Sequence, residues 1–368
     1  GAQLGQDGDP ITSSDYTLDL YSGVVQGSAQ MIGLGGAFVA IAEGVDGSLV
    51  NPVAPAVRPA YSVDSFDYWL GVGVTLPFSI GDFYNTGVAG VDESGFIHLV
   101  PAANVQFGGL GIGASIELQS MRLRGATPFA TDPPELFQRF ITIRLQAAYQ
   151  FFSGQLLLGV GGKLLVQRTL VGRRFDVEEA FSGLGFGVEV GALYRPNRER
   201  YRIALAFESQ IETRSDAARE DVLVNGFYVP RSVYQPWEGR LGFAYQWGDR
   251  PLNAVWRSVD DLVEEEVGDL WPSMSSDERA LYTRETYRRL RREFRAWGRR
   301  YLLLSTALHV IGPTRNAVSF DSFILQVVQR SGNEISLSPR LGLETELWPN
   351  WIRLRYGNYL EPRRVAIT

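Results

Sequence analysis

From about residue 61 onward the chain keeps to one rule, and that rule leaves few folds open. In FITIRLQAAYQF (140–151), Ile141, Ile143, Leu145, Ala147, Tyr149 and Phe151 fall on one face of an extended chain. Thr142, Arg144, Gln146, Ala148 and Gln150 fall on the other. The period is two, the period of a strand. It recurs with Leu156, Leu158, Val160, Leu164 and Val166 against Gly159, Gly161, Lys163 and Gln167, and with Leu184, Phe186, Val188 and Val190 against Gly185, Gly187, Glu189 and Gly191. Twelve segments obey it, near 61–77, 96–107, 109–123, 138–152, 154–170, 183–196, 200–213, 233–247, 300–311, 317–330, 335–348 and 350–361. Most are longer than the roughly 5–6 residues usual in soluble sheets and long enough for the roughly 9–11 of a bilayer-crossing strand. One face is aliphatic and aromatic; the other carries glycine and charge. A soluble barrel or sandwich needs the reverse, an apolar interior. The pattern therefore predicts an all-β fold, a transmembrane antiparallel β-barrel of about twelve strands with lipid outside and a polar lumen.

The connections agree. Short links are expected after the second strand (Gly108, Gly109), the fourth (Ser153, Gly154) and the sixth (Pro196 to Arg198), with longer ones after the first, third, fifth and seventh. Short periplasmic turns alternating with long outer loops are usual in such barrels. Tyr149, Tyr194, Tyr201, Trp237, Trp247, Tyr301, Trp348 and Trp351 lie near segment ends, where interfacial aromatic girdles form. The predicted lumen charges are mixed: Arg144, Lys163, Arg202, Arg240 and Arg340 against Glu117, Glu189, Glu208, Glu238, Glu344 and Glu346. That mixture suits ion pairs holding a plug better than a selective open pore.

Composition narrows the rest. There is no cysteine, hence no disulfide frame and no thiolate chemistry. No apolar run is long enough for a transmembrane helix. A net charge of −6 gives no reason to expect nucleic acid. The opening GAQLGQDGDP lacks the basic start and apolar core of a signal peptide, as expected of an exported bacterial chain that begins after cleavage.

Residues 1–60 do not alternate. IGLGGAFVAIAEG (32–44) has the look of a phosphate-binding loop, with Gly33 and Gly35 in the first two places of a dinucleotide fingerprint. The third place is Phe38, no buried strand precedes it, and no Gly-Lys-Ser/Thr follows, so nucleotide binding fails. The glycines at 33, 35 and 36 instead suit backbone packed closely inside a crowded lumen, where a Cβ is not tolerated.

The stretch SAQMIGLGGAFVAIAEGVDGSLVNPVAPA (28–56) resembles the N-terminal hatch of the FadL group of outer-membrane transporters and their relative PorV, through Ser28, Ala29, Gly33, Gly35, Gly36, Ala37, Ala42, Asn51 and Pro52. It departs from the pattern at Gln30, Gly44 and Val53. The resemblance implies a bacterial outer-membrane location and a fourteen-stranded barrel with both chain ends in the periplasm. Twelve strands are in sight, and EPRRVAIT is not the aromatic-ended last strand of such proteins, so C-terminal strands are expected beyond it. The expected organisation is a hatch over 1–60, strands 1–8 over 61–247, an inserted helical hairpin over 248–299 and further strands over 300–368.

The insertion breaks the pattern. After Ser258 as N-cap, Val259, Leu262, Val263, Val267 and Leu270 recur at helical spacing on an acidic segment. Ser275 and Glu278 form a capping-box pattern before an arginine-dense helix with Tyr287, Leu290, Phe294, Trp297 and Tyr301 on one stripe. Acidic beside basic predicts a charge-complementary antiparallel hairpin, on the periplasmic side by strand count. Glu264, Glu265, Arg288, Arg292 and Arg295 are its candidate partner surface.

Chemistry-bearing clusters are sparse. The two histidines, His98 and His309, fall on predicted lumen faces, and Ser305 shares a face with His309. No metal-ligand spacing appears, and neither cofactor nor catalysis is expected. Two functions fit. One is uptake of hydrophobic, fatty-acid-like molecules past the hatch, with Phe38, Val39 and Ile41 lining the passage and Asn51 and Pro52 fixing the hatch turn; the resemblance carries this reading. The other is a PorV-like partner barrel that docks an envelope, secretion or motility protein through its loops or hairpin. Outer-membrane lipids are the expected surroundings of either.

Overall fold

The computed structural model describes residues 4–20, 25–59, 62–76, 91–125, 135–173, 176–214, 223–224, 226–298, 300–348 and 351–365. Eleven long strands form one antiparallel sheet in chain order: β1 (Phe66–Thr75), β2 (Val91–Phe107), β3 (Leu110–Gly125), β4 (Glu135–Phe151), β5 (Leu156–Arg173), β6 (Asp176–Tyr194), β7 (Tyr201–Glu208), β8 (Glu238–Gly248), β9 (Tyr301–Ile311), β10 (Ser336–Trp348) and β11 (Ile352–Tyr359). With an odd number of antiparallel strands, β1 and β11 run in the same direction; they are not paired with each other, and the described residues form no closed cylinder.

The alternation sorts side chains as expected. Leu145, Val160, Phe186, Leu205 and Leu241 stand exposed on the outer face. Arg144, Lys163, Glu189, Arg202 and Glu208 are buried on the inner one. An exposed apolar band running from strand to strand is far beyond what a soluble monomer shows. No described helix is long and apolar enough to cross a membrane.

The two ends of the sheet differ. At one end the connections are short, at 108–109, 152–155, 195–200 and 349–351, and the helical insertion 249–300 also leaves from there. Phe66, Tyr149, Phe151, Tyr194, Trp247, Trp348 and Trp351 stand exposed around that end. At the other end, residues 4–20 join segments 211–214, 232–235 and 317–328 in an apolar cap. Thr17–Asp19 pairs in parallel with both Ser232–Tyr234 and Ala317–Val318. Leu4, Tyr16, Leu18, Phe227, Phe320 and Phe323 pack there against Phe96, Leu123, Leu136, Phe140 and Phe181 of the strand ends. The inner face is thus apolar beneath the cap and polar only below it.

Three expectations are corrected. Segment 317–330 is not a wall strand: after Ala317–Val318 it turns into a short helix, Phe320–Leu325, with Ser319 capping Ser322 N. Its buried residues Phe320, Phe323 and Ile324 sit at i, i+3 and i+4, a helical spacing. The long link after the fifth strand is absent, because β5 runs to Arg173 and β6 begins at Asp176. The register slips between Thr169 and Leu170, which breaks the period of two there. Tyr301 joins no girdle; it is buried and donates its hydroxyl to Glu344 at 2.7 Å.

The insertion holds α-helices at Val259–Glu266 and Ser276–Ala296, each opened by a full capping box, Ser258 with Asp261 and Ser275 with Glu278. Glu266 links the two helices, accepting from Arg289 at 2.7 Å and from Tyr282 at 2.9 Å.

Candidate functional site

Irregular backbone inside a strand wall needs space and hydrogen-bond partners. Residues 28–58 receive both from the sheet. Space comes from inward glycines, one strand after another. Gly357 of β11 faces the backbone of Leu34 and Gly35, and Gly342 of β10 faces Leu34. Gly242 of β8 faces Val39 and Ala40, Gly191 of β6 faces Asn51 and Pro52, Gly159 of β5 faces Pro52, and Gly111 of β3 faces Pro55. A side chain at any of them would occupy the segment's own volume. Gly33 ends the helix Ala29–Gly33, where Ser28 is the N-cap. Gly35 and Gly36 follow at φ +59° and +75°, a left-handed turn that reverses the chain. That turn is what Gly35 and Gly36 serve.

Partners come from wall side chains that donate to the segment's carbonyls. Ser305 donates to Ala37 O at 2.6 Å, Gln146 to Ser48 O at 2.7 Å, Arg240 to Val50 O at 3.0 Å and Gln106 to Pro55 O at 2.6 Å. Asn51, fully buried, donates to Val39 O at 3.4 Å and accepts from Val53 N at 3.2 Å, so it ties its own turn to the preceding one. Pro52 stacks on Gly191. Phe38, Val39 and Ile41 are buried in the apolar cluster that joins the segment to Leu157, Leu193 and Leu303.

Across the middle of the inner face runs a band of paired charges. His98 meets Glu117 at 3.0 Å, and Glu117 meets Arg144 at 2.5 Å. Arg144 reaches Glu189 at 4.0 Å, and Gln146 also donates to Glu189. Glu208 takes Lys163 and Arg240 together; Arg240 continues to Glu238 at 2.8 Å, and Glu238 to His309 at 2.6 Å. Of the remaining predicted residues, Arg202 binds Glu43 of the N-terminal segment at 2.6 Å. Glu344 accepts from Tyr301, from Gln30 at 3.2 Å and from Arg355 at 2.5 Å. Arg340 lies against Gly36 and reaches Glu361 at 3.7 Å. The predicted charges are therefore spent on each other and on the segment they surround. Ser305, committed to Ala37, is not the partner of His309. Among the described residues no group of three or more acidic or histidine side chains is placed to hold a metal.

Two cavities flank the segment. The upper one, about 200 Å3, lies between cap and segment. Leu20, Phe140 and Ile311 line it from above, Arg144, Arg240 and His309 from the side, and Met31, Gly36 and Val50 from below. The lower one, about 360 Å3, opens toward the short-turn end, with Phe38, Ile41 and Glu43 as its ceiling, Arg195, Arg202, Leu303 and Arg353 on its walls, and Arg250, Phe294 and Trp297 of the insertion beneath.

Arg195 was not singled out in the sequence; it shares the inward parity of Glu189 and Gly191, and that parity was the available signal. Arg58 was also missed. It is buried and donates to Gly108 O, Asp64 O, Ser65 O, Ser62 and Asp67, clamping the exit of the segment to the first tight turn. Such a hub depends on contacts that no periodicity encodes. In the helical pair, Glu264, Glu265, Arg288, Arg292 and Arg295 are all exposed. Glu265 pairs with Arg257 beside it, and the Arg292 side chain folds back toward Arg288 O at 3.4 Å.

No family model matches the chain, and no curated protein matches it. Among solved structures, a FadL homologue from Pseudomonas aeruginosa is similar over 95% of this chain and 82% of its own, with a TM-score of 0.50 and 11% identity. The fold is of the FadL type.

Proposed function

We propose that the chain is a bacterial outer-membrane protein that takes up hydrophobic, fatty-acid-like molecules past an N-terminal hatch, formed by the segment 28–58. The observation that carries this reading is the pair of cavities held apart by a thin layer of that segment. Met31 and Gly36 border the upper cavity, and Gln30, Phe38 and Ile41 the lower. Both cavities mix apolar side chains with cations, as an amphiphile with an anionic head requires. The exposed apolar band supports a lipid environment, and the FadL-type fold is compatible with that role. Phe294 and Trp297 of the helical pair face the lower cavity, so these two are accounted for within the chain.

The absence of cysteine makes a tether simple. Gln30 of the segment and Glu344 of the wall meet side chain to side chain at 3.2 Å, a pair that a short thiol-to-thiol cross-linker can span. A Gln30→Cys, Glu344→Cys protein should pass labelled fatty acid into cells before cross-linking and stop after it. Uptake that continues with the tether closed would refute passage by movement of the hatch.

A further inference from the structure

We propose that the outer face of β3, β4 and β5, at the end away from the short turns, holds a multi-acylated, phosphorylated glycolipid of the outer leaflet, with Arg122, Arg139 and Arg168 on its phosphates and an apolar row beneath its acyl chains. The inference rests on the outer-membrane placement proposed above and is independent of what passes the hatch.

Register sorts this face into rows. Leu99, Leu118, Ile141, Val166 and Leu184 stand opposite one another across five strands. At a strand spacing of about 4.8 Å they form an apolar belt about 19 Å wide, with room for several acyl chains abreast. Two residues further along, the row is Ser120, Arg139, Arg168 and Ser182. One step beyond, Arg122 stands opposite Phe137, and Phe137 opposite Leu170. The three arginines keep the outward parity of the belt and are exposed.

Their depth is that of lipid head groups. Arg139 lies about twelve residues along β4 from Phe151 of the aromatic, short-turn end. At about 3.4 Å per residue and a strand tilt of about 40°, that is about 31 Å along the membrane normal, the thickness of the hydrocarbon layer. Short turns are periplasmic in such walls, so the arginines belong to the outer leaflet.

Charge points the same way. Arg139 and Arg168 face each other directly across the ladder, an arrangement that costs stability and that an anion placed between them would relieve. Glu179 takes Arg168 at 2.5 Å, while Arg139 meets no carboxylate among the described residues. Arg122 lies over the Phe137 ring at 5.0 Å and is 3.9 Å from Glu135, which Arg124 already holds. The three arginines are thus matched by Glu179 and a share of Glu135. Guanidinium groups bind phosphate in a two-pronged geometry, and clustered cations beside a membrane favour anionic head groups.

The test uses the purified full chain in non-ionic detergent, titrated with bis-phosphorylated lipid A and read by native mass spectrometry. Lipid A should bind about ten-fold or more tighter than the same lipid with its phosphates removed, and tighter than phosphatidylglycerol. Arg139→Gln with Arg168→Gln should bring lipid A down to the dephosphorylated level, while Arg139→Lys with Arg168→Lys keeps part of the preference. Arg200→Gln with Arg284→Gln, which removes two exposed charges at the short-turn end, should change nothing. Equal binding with and without phosphates, equal binding of phosphatidylglycerol, a preference that survives loss of Arg139 and Arg168, or an equal fall on loss of Arg200 and Arg284 would each overturn the proposal. Density-gradient fractionation of cells separates the two readings. A chain absent from the outer membrane sinks the placement, whereas the measurement in detergent fails only if the arginine row does not bind.

Discussion

Gly159→Ala is the sharpest probe of how the N-terminal segment is held. Gly159 has ordinary backbone angles, so alanine carries no strain of its own. Its Cβ would stand 2.5 Å from Pro52 O, 2.6 Å from Pro52 C and 2.9 Å from Val53 N. Apolar atoms settle at about 3.5–4.0 Å, so the segment must retreat by about 1 Å. It cannot do so freely: Asn51 is bonded to Val39 O and Val53 N, and Pro52 is pressed on Gly191. Overpacking costs about 1–3 kcal/mol, and a rigid neighbour places this case in the upper half of that range. About 2–3 kcal/mol corresponds to an opening constant roughly 30–150 times larger. Hydrogen exchange read by mass spectrometry would show it in the amides of Asn51, Ala54 and Val57, which bond to Gly47, Asn51 and Ala54 carbonyls. Peptides from β4 and β5 should be unaffected away from residue 159. Gly239→Ala is the matched control, since nothing lies within 4 Å of its added Cβ. Unchanged exchange over 47–57 in Gly159→Ala, or an equal rise in Gly239→Ala, would refute the glycine-seat argument.

Other consequences can be checked on the same protein. Glu208→Gln leaves Lys163 and Arg240 without their shared carboxylate and should cost about 3–5 kcal/mol; Lys163→Met leaves Glu208 paired with Arg240 and should cost less, so the order of their urea midpoints is the test. The hydrogen bonds from Arg289, and then that from Tyr282, hold the Glu266 carboxyl below its ordinary range. A depressed folded value gives stability that is present above about pH 4.3 and lost as pH falls through the folded value. The helical circular-dichroism signal should therefore weaken in acid, and Glu266→Gln should flatten that dependence. Ser275→Ala removes the cap of the long helix and should cost that helix about 1 kcal/mol, seen as faster proteolysis between residues 267 and 280.

The wall was legible because each face of a strand meets one environment. Leu145 outward and Arg144 inward need no partner to be identified, and eleven of the twelve expected segments are wall strands. The twelfth failed where a different period, Phe320 to Phe323 to Ile324, lay inside an apolar run. The helix starts at Ser258 and Ser275 were legible because capping is local. Partnerships were not. Nothing near Gly159 in sequence says that Pro52 will lie on it, and nothing near Arg202 says that it will claim Glu43. The alternation also could not report that the inner face becomes apolar beneath the cap, because Phe140 and Leu165 acquire their surroundings from residues 4–20 and 317–328.

The seating of the N-terminal segment also bears on the order of events in folding. Leu34 and Gly35 rest on Gly342 and Gly357, so a piece made earlier is gripped by strands made about three hundred residues later. Contacts between distant parts of a chain slow folding, since the intervening loop must close before the contact is rewarded. Until β10 and β11 arrive, the carbonyls of this segment have only part of their wall, and Phe38 and Ile41 have only part of their cover. A nascent chain of this kind therefore carries an exposed apolar stretch until those strands are made, the condition under which holding chaperones act.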